Sequence, residues 1–368
     1  MIKENPKVLF CINKLGSGSG LGGAERLVVD DINEMLGCGI EVRLLTFKEE
    51  SSFSLVHELK LDKKYWKTVP FKSLFYISDW IRAYKYIKKE KPDVVFSHLW
   101  FSNAIIRIIC KIAGVKNVIS FEHNIYDNVK TEKMYGLDRF LQKWCRKIVA
   151  VSFAVKESLI KHGIKESRII VVNNGIDVSK YKNVRHSVSN IKEGLSVSKD
   201  SFVFLTIGRL IPQKGIDILI QSFSKLSGNP ILLITGSGQD EEMLRKMADD
   251  LGIKNRVYFF GNRYDIPDIL SICDCFVLAS RWEGLGIVVL EAMASEKPII
   301  ISDFPAGKDM ITDNVSGLVV EMENVDSLVK AMDRMMLDVD LRDRLSKSAY
   351  EKVQDFSIQN HANKILNL

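Results

Sequence analysis

The stretch FVFLTIGRLIPQKGIDIL, residues 202–219, changes character twice. Phe202–Ile207 is an unbroken apolar run of strand length, Gly208–Gly215 is a loop bracketed by glycines, and a segment of helical period begins near Ile216. A buried strand that hands over to a helix is one unit of an open parallel sheet. Ligands of such sheets lie beyond the carboxyl ends of the strands, which is where this loop falls. Arg209 and Lys214 stand five apart in it, on the approach to a helix N-terminus, where free backbone N–H groups already favour an anion. The guanidinium can fork onto two oxygens and the ammonium adds a point charge, so the loop suits a diphosphate. Each charge-assisted bond contributes about 1.5–3 kcal/mol.

The same alternation extends along the chain. Apolar runs at Lys7–Phe10, Val42–Thr46, Val94–Ser97, Val118–Phe121, Lys147–Val151 and Ile169–Val172 precede the quoted one. Ile231–Thr235, Val257–Phe260, Cys275–Leu278, Pro298–Ser302 and Gly317–Val320 follow it. One sheet of a dozen parallel strands would be exceptional, whereas two doubly wound α/β domains of about six strands each are ordinary. The chain turns polar between Asp177 and Phe202, as a linker does. The expected division is a first domain over 1–178, a linker over 179–200 and a second domain over 201–352, with a C-terminal helix at about 353–368 packing back on the first. Two such domains facing a cleft would each hold one bound group, which suits a two-substrate transfer.

Composition narrows the class. With 46% hydrophobic and 27% charged residues in 368, the chain is neither disordered nor fibrous. The polar start MIKENPK lacks the pattern of a secretory signal, and no apolar stretch reaches bilayer length, so a cytoplasmic location is expected. Six cysteines lie scattered without a C-x-x-C pair, which argues for reduced thiols rather than a metal site or disulfides. The net charge of +6 conceals an asymmetry: residues 1–195 carry 33 Lys+Arg against 21 Asp+Glu, and residues 196–368 carry 19 against 25. In the basic half, Trp80–Lys89 and Arg139–Lys147 interleave cations with aromatic residues. They read either as interfacial helices, giving peripheral contact with an anionic membrane at the inner face of the cytoplasmic membrane, or as ordinary solvated faces. No nucleic-acid-binding motif accompanies the charge, and nucleic acid is not an expected partner.

A second constellation sits in Arg281-Trp-Glu283-Gly-Leu-Gly-Ile-Val-Val-Leu-Glu291-Ala-Met-Ala-Ser295. Glu283 falls in the loop after an apparent strand, and the glycines that follow let backbone amides approach a ligand. Glu291 falls within an apolar helix, where an ionised carboxylate requires a partner. That partner is either a structural cation or a ligand hydroxyl. Together, Gly208-Arg209-x4-Lys214-Gly215, Asp274-x-Phe-Val-Leu-x-Ser280 and Glu283-x7-Glu291 resemble the motifs of glycosyltransferase family 4, the retaining nucleotide-sugar transferases of two-Rossmann GT-B architecture. Gly22-Gly23-Ala24-Glu25, Val151-Ser152 and Asn174-Gly175-Ile176-Asp177 extend the likeness over nearly the whole chain.

The resemblance implies transfer of a hexose or N-acetylhexosamine from a nucleoside-diphosphate sugar, expected to be a UDP sugar, to a glycan or lipid-linked glycan acceptor. Arg209 and Lys214 would take the diphosphate, with Gly208 and the amides of Gly284, Leu285, Gly286 and Ile287; Glu283 would take the sugar hydroxyls and Glu291 the ribose. His123, at a strand end in Ile119-Ser-Phe-Glu-His-Asn124, matches a histidine beside the donor sugar, and Arg263 and Tyr264 would border the base. No cofactor or metal is called on, since two cations can replace one divalent ion. Gly18-Ser-Gly-Leu-Gly-Gly23 also fits G-x-G-x-x-G, but the second strand ends in Thr46-Phe-Lys48 without the acidic residue a dinucleotide ribose needs. Gly22 and Gly23 then serve close approach to the donor, and Gly16–Gly20 reads either as a mobile flap or as a passive turn. Two local departures are Glu296, where the family carries glycine, and Pro305-Ala306-Gly307. An epimerase of the same fold and a catalytically silent partner subunit are the rival readings.

Overall fold

Each apolar run becomes a parallel strand in the computed structural model, which describes residues 5–16, 22–125, 127, 130–182 and 201–368. The first sheet comprises β1 (Lys7–Ile12), β2 (Glu41–Thr46), β3 (Trp66–Thr68), β4 (Val94–His98), β5 (Val118–Glu122), β6 (Lys147–Ala150) and β7 (Ile169–Val171). Its order is β3-β2-β1-β4-β5-β6-β7. The second comprises β8 (Val203–Ile207), β9 (Ile231–Thr235), β10 (Val257–Gly261), β11 (Cys275–Leu278), β12 (Ile299–Ser302) and β13 (Leu318–Val320), ordered β10-β9-β8-β11-β12-β13. The first sheet thus has seven strands, not six. The extra one, β3, is three residues long with an exposed lysine at its centre, so it offers no apolar run to read. It holds the edge by pairing with β2 and by the Trp66 indole N–H donating to Thr46 at 3.1 Å.

Helices alternate with the strands. In the first part of the chain they are α1 (Gly23–Gly37), α2 (Ile77–Glu90), α3 (Trp100–Ala113), α4 (Glu132–Leu141) and α5 (Phe153–Lys161). In the second they are α6 (Ile216–Ser224), α7 (Glu241–Asp250), α8 (Ile266–Ser271), α9 (Ile287–Ala294), α10 (Gly307–Met310), α11 (Val325–Leu337) and α12 (Val339–Val353); α13 (Ile358–Leu366) ends the chain. Both faces of each sheet are covered, so the inward residues form cores around Val8, Phe10, Ile12 and Phe96 in one unit and Phe204, Leu232, Phe223 and Ile300 in the other.

The units are Met1–Gly175 with Ile358–Leu368, and Ile176–Ser357. The second therefore starts earlier than the expected residue 201 and keeps residues 353–357. The Ile176 N–H donates to the Phe356 carbonyl at 2.9 Å, and a helical turn at Val178–Tyr181 buries both of those side chains. From residue 183 the expected linker lies outside the described residues. The closing helix α13 belongs to the first unit: Ala362 and Ile365 join its core, and His361 Nδ1 lies 2.8 Å from the Asn173 carbonyl oxygen. Its Nε2 faces Asp31 Oδ2 of α1 at 3.4 Å.

Candidate active site

Strand order reverses between β1 and β4 in the first sheet and between β8 and β11 in the second. Diverging crossovers leave a crevice at the carboxyl ends of such strand pairs. In the second unit this brings the loop after β8, carrying Arg209 and Lys214, beside the loop after β11, carrying Glu283. Gly215 makes their contact feasible: its φ is +59°, and a Cβ there would strike the Ala279 carbonyl oxygen. The loops are also stitched by Arg281 N–H to Gln213 O at 2.8 Å and by Gln213 Nε2 to Trp282 O at 2.8 Å. The Arg281 guanidinium forks onto Asp217 and reaches Glu323 at 2.8 Å.

The result is a contact the sequence did not announce. Lys214 Nζ lies 2.5 Å from Glu283 Oε1, with side-chain exposures of 13% and 8%. Ser280 Oγ donates to the same oxygen at 2.7 Å, and Gln213 Nε2 to the other at 3.3 Å. Lys214 and Glu283, to which the resemblance gives separate roles, thus meet as a pair at the floor of the candidate site. An ammonium has three N–H groups, so this bond leaves two for a ligand. Arg209 is exposed and has no ion pair among the described residues, so its charge is available to an incoming anion.

Behind this floor, Gly284 and Leu285 are buried and Gly286, at φ +100°, caps α9 ahead of Ile287. Glu291 sits on α9 among Val289, Leu290, Ala292 and Met293, all buried. One partner of its carboxylate is the Tyr181 hydroxyl, which donates to Oε1 at 2.9 Å. Tyr181 lies in the stretch read as linker, and no spacing signals it. Two residues past α9, Glu296 takes φ +53°. Its N–H reaches Met293 O and that of Lys297 reaches Ala292 O, the double closure of a left-handed helix end that glycine ordinarily supplies. The departure at Glu296 therefore preserves the loop's shape. Arg263, read as a base contact, bonds Asp265 at 2.8 and 2.5 Å. Tyr264 beside it is 38% exposed.

In the first unit, His123 directly follows β5 and faces His98 at the end of β4, with Nε2 and Nδ1 3.0 Å apart. His98 stacks on Phe121 at 4.3 Å between ring centroids. Burial holds both imidazoles neutral, pushing His98 well below its usual range and His123 down to about 4. Sequence reasoning found His123 and missed His98, although both end adjacent strands. The neighbouring Glu122 belongs to a buried quartet. Lys130 Nζ bonds Glu122 at 3.1 Å and Asp138 at 3.0 Å, and Arg107 bonds Asp138 at 3.1 Å. Gly22 caps α1 in extended conformation and Gly23 opens the helix. Of the glycine stretch before them, only Gly16 is described; it is buried and bridged to Ser54, with the Phe53 carbonyl where a Cβ would go. For that residue the mobile-flap reading is corrected to a pinned backbone; residues 17–21 lie outside the described residues. Among the described residues, no cluster of His, Cys, Asp and Glu is arranged to hold a metal ion, and no helix is long and apolar enough to cross a membrane.

Comparison with known proteins identifies the family. The model for "Glycosyltransferase Family 4" matches residues 21–180, and that for "Glycosyl transferases group 1" matches residues 187–352. An Escherichia coli relative, UDP-Gal:alpha-D-GlcNAc-diphosphoundecaprenol alpha-1,3-galactosyltransferase, is 29% identical over 301 residues, 78% of either chain. The lipopolysaccharide core biosynthesis glycosyltransferase LpsD of Rhizobium meliloti is 24% identical over 90% of each chain. Among solved structures, Anabaena Alr3699/HepE in complex with UDP and glucose superposes with a TM-score of 0.87 over 99% of both chains at 20% identity, a likeness of fold. With both halves matched, and with two doubly wound parallel sheets, the chain belongs to the GT-B glycosyltransferases of the family 4 type.

Proposed function

We propose that this glycosyltransferase moves a hexose or N-acetylhexosamine from a UDP sugar to a hydroxyl of a lipid-linked glycan, with retention at the anomeric carbon. The observation that carries the donor side is the Lys214–Glu283 pair, with exposed Arg209 beside it on the same loop. As the bond between anomeric carbon and phosphate oxygen breaks, negative charge collects on the departing diphosphate. Fixed donors aimed at that charge stabilise the transition state more than the ground state. Arg209 and the two free N–H groups of Lys214 serve this purpose, which is the work a divalent ion would otherwise do. Glu283, held by Lys214, Ser280 and Gln213, is a pre-oriented acceptor for sugar hydroxyls. Glu291 accepts from the ribose. Uridine as the base is supported by the UDP-Gal donor of the E. coli relative and by the UDP held by HepE.

The diphosphoundecaprenol acceptor of that relative supports a lipid-linked acceptor here, and so does a surface on the first unit. Phe75 is 93% and Ile77 72% exposed at the start of α2, flanked by exposed Leu74, Tyr76 and Ile81. The Trp80 indole pins this tip to the helix by donating to Leu74 O at 2.9 Å. Lys72 is exposed just before it in sequence, and Lys85 and Lys89 are exposed further along α2. An apolar tip next to cations complements an anionic bilayer, at the inner face of the cytoplasmic membrane.

Incubation of the enzyme with UDP sugars and a polyprenyl-diphosphate sugar acceptor, followed by NMR of the product, tests the reading. An α-donor should give an α-linkage, and turnover should persist in EDTA. An inverted product overturns retention, and failure of every nucleoside diphosphate in a thermal-shift panel to stabilise the protein overturns the donor assignment. Co-sedimentation with phosphatidylcholine vesicles, with and without phosphatidylglycerol, should show an anionic preference that Phe75→Ser/Ile77→Ser abolishes. Equal pelleting with both vesicles overturns the membrane surface.

A further inference from the structure

We infer that Tyr181 is a positioning residue for the nucleotide, its hydroxyl fixing the Glu291 carboxylate in the orientation that receives the ribose. The inference deepens the donor reading above and rests on Glu291 being the ribose contact. Tyr181 and Glu291 are 110 residues apart in sequence, yet their bond is buried and 2.9 Å long.

The geometry of the tyrosine points to preparation in advance of any ligand. Its helical turn, Val178–Tyr181, is started by Asp177, whose side chain accepts from the Ser179 N–H at 3.1 Å and from its hydroxyl at 2.5 Å. The backbone just before is tied at Ile176 to Phe356. The residue just after, Lys182, lies 5.6 Å from the Tyr350 ring centroid on α12. The phenol therefore arrives on an anchored element, and its ring, 9% exposed, has little room to move.

The chemistry of the donor matters as much as its placement. A glutamate on a helix has three rotatable side-chain bonds, and a carboxylate free to turn loses that freedom when a ligand binds. A hydrogen bond to one oxygen removes the freedom beforehand. A neutral hydroxyl does this without itself neutralising the carboxylate, which keeps lone pairs for ligand hydroxyls. In the same unit, Glu283 is held by a cation, Lys214, and so gives up part of its acceptor strength. Of the two glutamates, eight apart in sequence, one thus receives the Tyr181 hydroxyl and the other the Lys214 ammonium.

The test is a cycle in which one side of the interaction is changed on the protein and the other on the ligand. Calorimetry compares UDP with 2′,3′-dideoxy-UDP on the wild type and on Tyr181→Phe, which removes one oxygen and keeps the ring. The wild type should prefer UDP by about tenfold or more. The variant should bind UDP about five- to tenfold more weakly while binding the dideoxy compound as the wild type does, so its preference collapses. In turnover, KM for the donor should rise with kcat nearly held. A variant that keeps the full preference for UDP overturns the role of Tyr181 and leaves the ribose reading of Glu291 intact. A wild type indifferent to the ribose hydroxyls, or one that does not bind UDP, overturns the ribose reading and the proposal together. Loss of cooperative melting in Tyr181→Phe would make the bond a structural one and overturn the proposal as well.

Discussion

Lys214→Met deletes the charge at the floor of the site while keeping most of the stem, and its cost can be worked from the contacts. Removing one member of a buried ion pair costs about 3–5 kcal/mol, because the other charge is left uncompensated. Two features lower that figure. Ser280 and Gln213 continue to donate to Glu283, at 2.7 and 3.3 Å, and the 13% exposure of the Lys214 side chain admits some screening by water. We expect a loss of about 2–3 kcal/mol, read by urea denaturation at neutral pH. The same experiment on Glu283→Gln and on the double variant closes a cycle, whose coupling should be about 2 kcal/mol. UDP titration on the same samples should show binding weakened about 10- to 100-fold, the worth of a charge-assisted bond to phosphate. A coupling below about 0.5 kcal/mol would refute the pair as an energetic unit. Normal UDP affinity in a destabilised Lys214→Met would refute the lysine as a phosphate ligand.

Lys130→Met should cost about 3–5 kcal/mol in urea melts, since Glu122 and Asp138 then share one remaining cation, Arg107, in a buried site. Glu296→Gly should gain about 1 kcal/mol, seen as a raised Tm, because it relieves a left-handed backbone at an exposed helix end. Stability should be intact above pH 6.5 and decline as the pH falls toward about 4: the unfolded chain takes up protons at His98 and His123 while the folded one, with both pKa values depressed by burial, does not. His123→Asn should show a shallower decline between those limits in denaturation curves collected across pH, and an unchanged slope would mean that the ring is not kept neutral by the fold.

The strands were legible because a parallel sheet covered on both faces writes each strand as a continuous apolar run. β3 was not, since an edge strand of three residues needs only Trp66 inward. Arg209, Lys214, Glu283 and Glu291 could be singled out by residue type and by their positions after strands or inside an apolar helix. Their mutual arrangement could not, for the Lys214–Glu283 contact spans 69 residues and is set by which strands lie side by side. Tyr181 was hidden for a different reason: a polar stretch with few apolar anchors reads as a linker, and a single buried phenol does not change its composition. Arg263–Asp265 and His98 were within reach of sequence reasoning, the first as a cation two residues from a carboxylate and the second as a histidine ending a strand beside that of His123.

The return of α13 to the first unit has a consequence for how the polypeptide is made. The first unit's core includes Ala362 and Ile365, and the His361–Asp31 contact joins its second element to its last. A ribosome emits residues 1–175 well before these groups exist, so the first unit must wait, incomplete, while the continuous second unit is synthesised. Loss of Ile358–Leu368, although it spares Arg209, Lys214, Glu283 and Glu291, would therefore leave the first unit's core open to chaperones and proteases.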